Sequence, residues 1–362
     1  MVNRGDSRGK VPKSTTNKIL SVVLVILIIG ILILGGYIII EMKDLATPKV
    51  MGTCGDGSFY NTCSITKPYF CDQGVLIEKS SICGCPDGFE KKDEMCISNL
   101  ATNPKEVSFY YTLNGEQGRI DFMMYQGVYD YLYTLKRSIS YEPGEISSRA
   151  HFKLNSINEE SQKYFLTPLV VEIQNAAKTK EDQARIAISL VQNIDFGNSD
   201  ASINFGGSSI NYFRYPYQVL YEKEGVCGEK VELLAFLLRE LGYGVSFFYF
   251  QEENHEALGI KCPVRESVGN SGYCFIETTG PSIITESEIT YVGYGKLEST
   301  PEIFLLSDGL SLPKGIEEYK DAKRMDKIKK TLERREGRLD FYKYLMNQKL
   351  KKKYGLNGGA ML

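Results

Sequence analysis

The longest apolar run in the chain, Ile19 to Ile40, is 22 residues without a charge, rich in Ile, Leu and Val and broken only by Ser21, Gly30, Gly35, Gly36 and Tyr37. At about 1.5 Å per residue it spans a bilayer's hydrocarbon core and predicts a transmembrane helix over 19–40. A second apolar pattern has a different period. Val231, Leu234 and Leu238 recur at helical spacing, and Leu233, Leu237 and Leu241 repeat on an adjoining face, which predicts a mostly buried helix. It stops at Gly242, in Leu241-Gly242-Tyr243-Gly244. Strand-like runs occur at Glu106 to Leu113 and Arg119 to Gln126, around the turn Asn114-Gly115. Two more lie at Ala257 to Lys261 and Cys274 to Glu277. Thr179-Lys180-Glu181-Asp182 opens a helix that runs to about Asn193. From Lys314 to Lys353, Ile316, Tyr319, Ile328, Leu332, Leu339, Tyr342 and Met346 fall near helical spacing among 15 Lys or Arg and 7 Asp or Glu. A long amphipathic helix interrupted at Gly337 follows, its stripe packed on the protein's own core, with anionic lipid or an envelope polymer as the other contact.

Charge decides which way the first helix points. Arg4, Arg8, Lys10, Lys13 and Lys18 precede it against one Asp6, while Glu41, Lys43 and Asp44 follow it. The positive-inside rule then keeps the N-terminus cytoplasmic and sends the rest of the chain outside. The run is too long for a cleaved signal peptide and no small-residue cleavage site follows it. The expected organisation is a basic tail (1–18), the transmembrane helix (19–40), a linker (41–53), a Cys-rich module (54–97), a small β-rich region (98–150), a catalytic domain (151–290) and a C-terminal extension (291–362).

Nine cysteines sharpen that picture. Six lie close together (Cys54, Cys63, Cys71, Cys83, Cys85, Cys96) in a stretch rich in Gly, Pro, Asp and Ser. So short a stretch buries little core and calls for disulfides, although the sequence leaves open which of the possible pairings forms. Zinc is the rival reading, but the block has no histidine and only Cys83-Gly84-Cys85 in place of paired C-x-x-C knuckles. Cys262 and Cys274 flank the loop between the two downstream strands, where a bridge would hold both in register. If the six pair internally and these two pair together, Cys227 is left free.

Cys227 precedes the apolar helix in Gly225-Val226-Cys227-Gly228-Glu229-Lys230. In a first turn, unpaired N–H groups and the positive end of the helix dipole favour a thiolate, and Gly228 leaves room beside it. The chain has two histidines, His151 and His255. His255 ends a loop and opens a strand, in Asn254-His255-Glu256-Ala257-Leu258-Gly259, whereas His151 has no partner motif. Glu277, in Glu277-Thr278-Thr279, closes the next strand, from which its carboxylate would accept the imidazole Nδ1–H. The alternative for Glu277 is a carboxylate that caps its own turn.

This ordered set resembles the transglutaminase-like superfamily of papain-like cysteine enzymes, in which a Cys at a helix N-terminus is followed by His and Asp on adjacent strands. Gly225-Val226-Cys227 with Leu233 through Gly242, then His255 to Gly259, then Glu277-Thr278-Thr279 carry the resemblance. It covers about residues 160 to 290 and is similar to a prokaryotic membrane-anchored member. It implies an α+β fold with a papain/transglutaminase-like core, a Cys-bearing helix packed on an antiparallel sheet. It also implies nucleophile, base and orienting roles for Cys227, His255 and Glu277. Two departures stand out: Glu replaces the usual Asp, and the chain has no Trp, so the indole that serves the oxyanion hole in animal relatives is missing. Gln218, Tyr217 and Tyr221, shortly before Cys227, are the candidates to replace it.

The function implied is a cysteine hydrolase or acyltransferase acting on protein or peptide amides at the cell surface. The other reading is a catalytically silent surface module that binds or builds structure with the same fold. No cofactor or metal is called for. Asn204-Phe205-Gly206-Gly207-Ser208 lacks the Lys of a phosphate loop, and no basic, aromatic-interleaved patch points to nucleic acid.

Overall fold

A computed structural model of the chain describes residues 22–36, 52–137, 148–199, 201–205, 208–212, 214–286, 290–291 and 295–356. Residues 1–51 and 52–362 form two compact units. In the first, residues 22–36 are helical, and Val22 to Leu34 present exposed aliphatic side chains. Among the described residues no helix is long and apolar enough to cross a membrane. The remainder of the expected span, 19–21 and 37–40, lies outside them.

The second unit is a mixed α/β body with small antiparallel sheets and four disulfides. Its largest sheet has the order Tyr273–Ile276, His255–Lys261, Val245–Phe250, Glu302–Ser307, with every neighbour antiparallel. Strand alternation gives this sheet two buried faces. Val245, Phe247, Leu258, Ile260 and Ile276 join the main core with Leu233, Leu234 and Leu237 of the helix Cys227–Glu240, while Phe248, Phe250, Ala257 and Phe275 form a separate cluster on the other side. The helix is buried almost all round, as its two apolar faces predict.

The hairpin expected at Asn114-Gly115 pairs Pro104–Leu113 with Glu116–Tyr125, and both turn residues adopt positive φ. Its inner residues Val107, Phe109, Ile120 and Phe122 share the main core with Ile186, Leu190 and Val191 of the helix Lys180–Gln192. One core therefore runs across the boundary expected at 150.

The Cys-rich segment folds as two short hairpins and a single helical turn. It is stapled Cys54–Cys71, Cys63–Cys83 and Cys85–Cys96. Cys54, Tyr69, Cys71 and Leu76 cluster with Val171 of the helix Glu160–Ala176. The fourth bridge joins Cys262 to Cys274, and Cys227 is the free cysteine.

The tail is helical and interrupted at Gly337, as expected. It forms two helices, Glu317–Arg334 and Phe341–Tyr354, parted where Glu336 and Gly337 take positive φ. Ile328, Met325 and Leu350 form a small core with Ile283, against which Leu332, Leu339 and Met346 pack, so most of the stripe is covered internally. Tyr342 is not part of that stripe: it is 82% exposed.

Candidate active site

The segment before Cys227 is pinned from both sides. Glu224–Gly225 pairs in parallel with Asp195–Phe196, and the Lys230 ammonium, one turn into the helix, donates to the Ile194 carbonyl at 2.6 Å. Glu229 caps the helix from inside: its carboxylate accepts the Val226 N–H at 3.0 Å and the Arg214 N–H at 2.9 Å. The first intrahelical bond runs from the Lys230 N–H to the Val226 carbonyl. The N–H groups of Cys227 and Gly228 thus belong to the turn that has no acceptor within the helix.

Cys227, half-buried, opens that helix close enough to the wholly buried His255 ring to help raise its pKa. The ring's Nε2 lies 2.9 Å from Glu277 Oε2. This reverses the Nδ1 contact expected from sequence, and it leaves Nδ1 as the ring nitrogen that Glu277 does not engage. Register explains the geometry. Leu258 pairs with Ile276, so one step further Ala257 stands opposite Glu277, and His255 is Glu277's diagonal neighbour on the same face. Diagonal partners lie about 7–8 Å apart at Cα, within reach of long side chains. The extra methylene of Glu relative to Asp spans that diagonal.

Glu277 also caps its own turn. Its Oε1 accepts from the Thr278 N–H at 2.9 Å, the Thr279 N–H at 2.8 Å and the Thr279 hydroxyl at 2.7 Å. The two readings of the Glu-Thr-Thr motif therefore coexist: one oxygen holds the turn and the other the imidazole. Gln192 fixes the loop from behind, donating to the Glu277 carbonyl at 2.9 Å and to Ser282.

The charges follow from these contacts. Burial acts to lower the His255 pKa, but the Glu277 charge, the neighbouring Cys227 and the hydrogen bond to Glu277 outweigh it and push it up to about 10. Burial acts to raise that of Glu277, yet the His255 charge and the donors of Thr279 hold it below the usual carboxylate range. Lys230 is driven the other way. Desolvation brings it down to about 8 against the opposing pull of Glu277, Asp195 and Cys227.

A second set of buried charges ties the helix to the strand. Glu256, next to His255 and on the opposite face, accepts from Arg149 at 2.6 Å and from Lys153 at 2.6 Å. Lys153 also reaches the Gly228 carbonyl at 3.4 Å and Glu232 at 3.3 Å. Both Glu232 oxygens in turn accept from one Arg137 nitrogen, at 3.0 and 2.8 Å, and one of them also accepts the Ser156 hydroxyl at 2.6 Å. A Cβ on Gly228 would come within 2.2 Å of Glu256 Oε2. Glycine is thus required there by the ion pair beside it.

The oxyanion candidates are committed elsewhere. Tyr217 is buried, its hydroxyl donating to the Tyr125 carbonyl and accepting the Tyr125 N–H. Gln218 accepts the Tyr215 N–H at 2.9 Å and donates to the Tyr129 carbonyl at 3.4 Å. Tyr221 packs on Tyr129 with Lys105 over its ring. The polar groups of Tyr217 and Gln218 serve the scaffold. His151 is exposed on the helix Arg149–Ile157. Among the described residues no cluster of three His, Cys, Asp or Glu side chains is placed to hold a metal ion.

Sequence reasoning missed Lys230, Lys153, Glu232 and Glu256. A signal for them existed: a helix apolar on two adjoining faces has little solvated surface left for Glu229, Lys230 and Glu232, so those charges had to find partners inside.

No family model, no curated protein and no solved structure matches the chain.

Proposed function

We propose that the chain is a transglutaminase-like cysteine enzyme, anchored in a membrane through residues 19–40 with its N-terminus cytoplasmic and its site outside. In this reading Cys227 is the nucleophile, His255 the general base and acid, and Glu277 the carboxylate that orients it. The observation that carries it is a free thiol at a helix N-terminus beside an imidazole that a buried carboxylate holds through one nitrogen. The helix Cys227–Glu240 on an antiparallel sheet whose adjacent strands supply His and Glu supports a transglutaminase-like core. Four disulfides support an oxidising compartment.

The substrate is a protein or peptide amide at the cell surface. The sulfur attacks the carbonyl carbon with its proton held on Nδ1. The carbonyl electron pair moves onto oxygen, towards the first-turn N–H groups of Cys227 and Gly228. The imidazolium then returns the proton to the departing nitrogen, the C–N bond breaks and a thioester remains. Water or a second amine attacks the thioester, giving its proton to His255. The C–S bond breaks, and the thiol is restored with that proton.

With eight cysteines paired, iodoacetamide at neutral pH should add one group, at Cys227, in an intact-mass measurement. Its rate should collapse in His255→Ala, and Cys227→Ser should abolish release of amine from peptide amides. Alkylation of Cys227 no faster than that of a free peptide thiol and indifferent to His255→Ala would sink the enzyme and leave a silent surface module.

A further inference from the structure

The helix Phe341–Tyr354 has one face covered and one bare. Asn347 and Leu350 are buried, and Met346 and Tyr354 pack on the tail's small core. On the other face Phe341 (69% exposed), Tyr342 (82%), Tyr344 (51%) and Leu345 (49%) stand together over the first turn and a half. Asp340 fixes the start of this helix by accepting the Lys343 N–H at 2.9 Å. The Phe341 and Tyr342 rings meet edge to face, 6.0 Å between centroids, so the patch is preformed. Scattered exposed apolar residues are ordinary, but three aromatics and a leucine on one helical face are not.

The surrounding charge identifies the occupant. From Arg334 to Lys352 the exposed charges are Arg334, Arg335, Arg338, Lys349 and Lys352 against Glu336 and Asp340. Aromatic side chains with an apolar body and a polar tip settle at the headgroup level of a bilayer. Cations clustered beside them attract anionic headgroups over about a Debye length. A protein partner would need pockets for the rings, whereas a fluid interface needs only depth and negative charge.

We propose that the corner formed by residues 334–352 is a peripheral docking surface for an anionic lipid bilayer, with Phe341, Tyr342, Tyr344 and Leu345 seated among the headgroups and Arg334, Arg335, Arg338, Lys349 and Lys352 ringing them. This contact is separate from the apolar run at 19–40 and from the thiol site. It would hold the C-terminal extension against the membrane whichever substrate Cys227 takes.

The chain contains no tryptophan, so Tyr342→Trp in the full chain makes a lone fluorescent reporter at an exposed position. In bilayers containing phosphatidylglycerol its emission should shift to the blue and be quenched several-fold by brominated acyl chains. Both effects should fade in pure phosphatidylcholine, in high salt, and when Arg334, Arg335 and Arg338 are changed to Glu. Tyr344→Trp should behave alike, while Tyr110→Trp, at an exposed position on the Pro104–Leu113 strand, should keep a water-like emission throughout. A water-like, unquenched Tyr342→Trp signal in anionic bilayers would overturn the proposal. So would quenching equal in neutral and anionic bilayers, or a blue shift without brominated-lipid quenching, which would mean a protein contact.

Discussion

Glu277→Gln tests the electrostatics of the site most directly. The change keeps shape and volume but removes the charge that holds His255 protonated. With Glu277 present the His255 pKa lies near 10 against its ordinary 6.5, a difference of about 5 kcal/mol at roughly 1.4 kcal/mol per unit. Because the folded value is the higher one, this pairing stabilises in full below pH 6.5. It is lost as pH rises through 10, with a slope of about 1.4 kcal/mol per pH unit. Lys230 acts with the opposite sign. Its folded value near 8 lies below 10.5, so its burial penalty is complete below pH 8 and is relieved as pH climbs towards 10.5.

The two groups together give a shape that neither gives alone. From these groups stability should fall by about 2 kcal/mol between pH 6.5 and 8, then level off towards pH 10 as the two slopes cancel. In Glu277→Gln the fall should vanish. Stability should instead rise with pH from below 8, because Glu277 is one of the charges that keeps Lys230 protonated. Denaturant unfolding at a series of pH values reads this profile, and an NMR titration of the two histidines, assigned with His151→Gln, reads the His255 pKa itself. A Glu277→Gln protein that still loses stability from pH 6.5 to 8, or whose His255 still titrates near 10, would refute the assignment of Glu277 as the charge that holds the imidazole.

Three further outcomes follow from the scaffold. Lys153→Met leaves Glu256 and Glu232 each short of a buried partner; it should lower stability by about 3–5 kcal/mol by denaturant unfolding and slow Cys227 alkylation. Replacing Cys262 and Cys274 by Ser opens a bridge spanning 12 residues between the two strands that carry His255 and Glu277. The chain-entropy loss is about 3 kcal/mol, read as a lower unfolding midpoint. Gly228→Ala places a Cβ 2.2 Å from Glu256 Oε2 and should depress both Tm and alkylation rate, whereas Gly280→Ala, with nothing within 4 Å, should leave both unchanged.

Much of this was readable from sequence because it depends on short-range pattern. The helix from Cys227, its stop near Gly242 and the hairpin at Asn114-Gly115 follow from period and turn chemistry. The freedom of Cys227 followed from counting cysteines, but which of the six upstream cysteines pair did not, because connectivity depends on how a loop-rich segment folds back. Register was equally out of reach. The Nδ1 contact expected for Glu277 gave way to Nε2 because the two side chains meet on a diagonal of the sheet, and a diagonal is set by strand pairing. The oxyanion candidates were chosen for nearness along the chain, yet Tyr217 and Gln218 turn their polar groups onto Tyr125, Tyr129 and Tyr215. The tail's amphipathic spacing did predict a covered stripe. It misassigned Tyr342, since the break at Glu336 and Gly337 resets the phase of the second helix.

The buried charges clarify why the site is built this way. A thiol on a helix and an imidazole on a strand must hold their spacing to within a fraction of an ångström if a proton is to pass between them. Apolar packing alone tolerates small slides, because dispersion contacts are non-directional. Ion pairs with fixed donors do not. Lys153 touches the helix at Gly228 and Glu232 and the strand at Glu256, and Lys230 ties the same helix to the Ile194 carbonyl. Each is an expensive group to bury, and replacing such pairs by apolar residues is often neutral or stabilising in other proteins. Their presence beside Cys227 and His255 is therefore better explained by position than by stability. A variant that removes every charge of the network, Lys153→Met, Arg137→Met, Arg149→Met, Glu232→Leu and Glu256→Leu, should regain much of the stability lost by Lys153→Met alone while Cys227 alkylation stays slow. Recovery of both together would mean that the network serves stability and not the geometry of the thiol and its base.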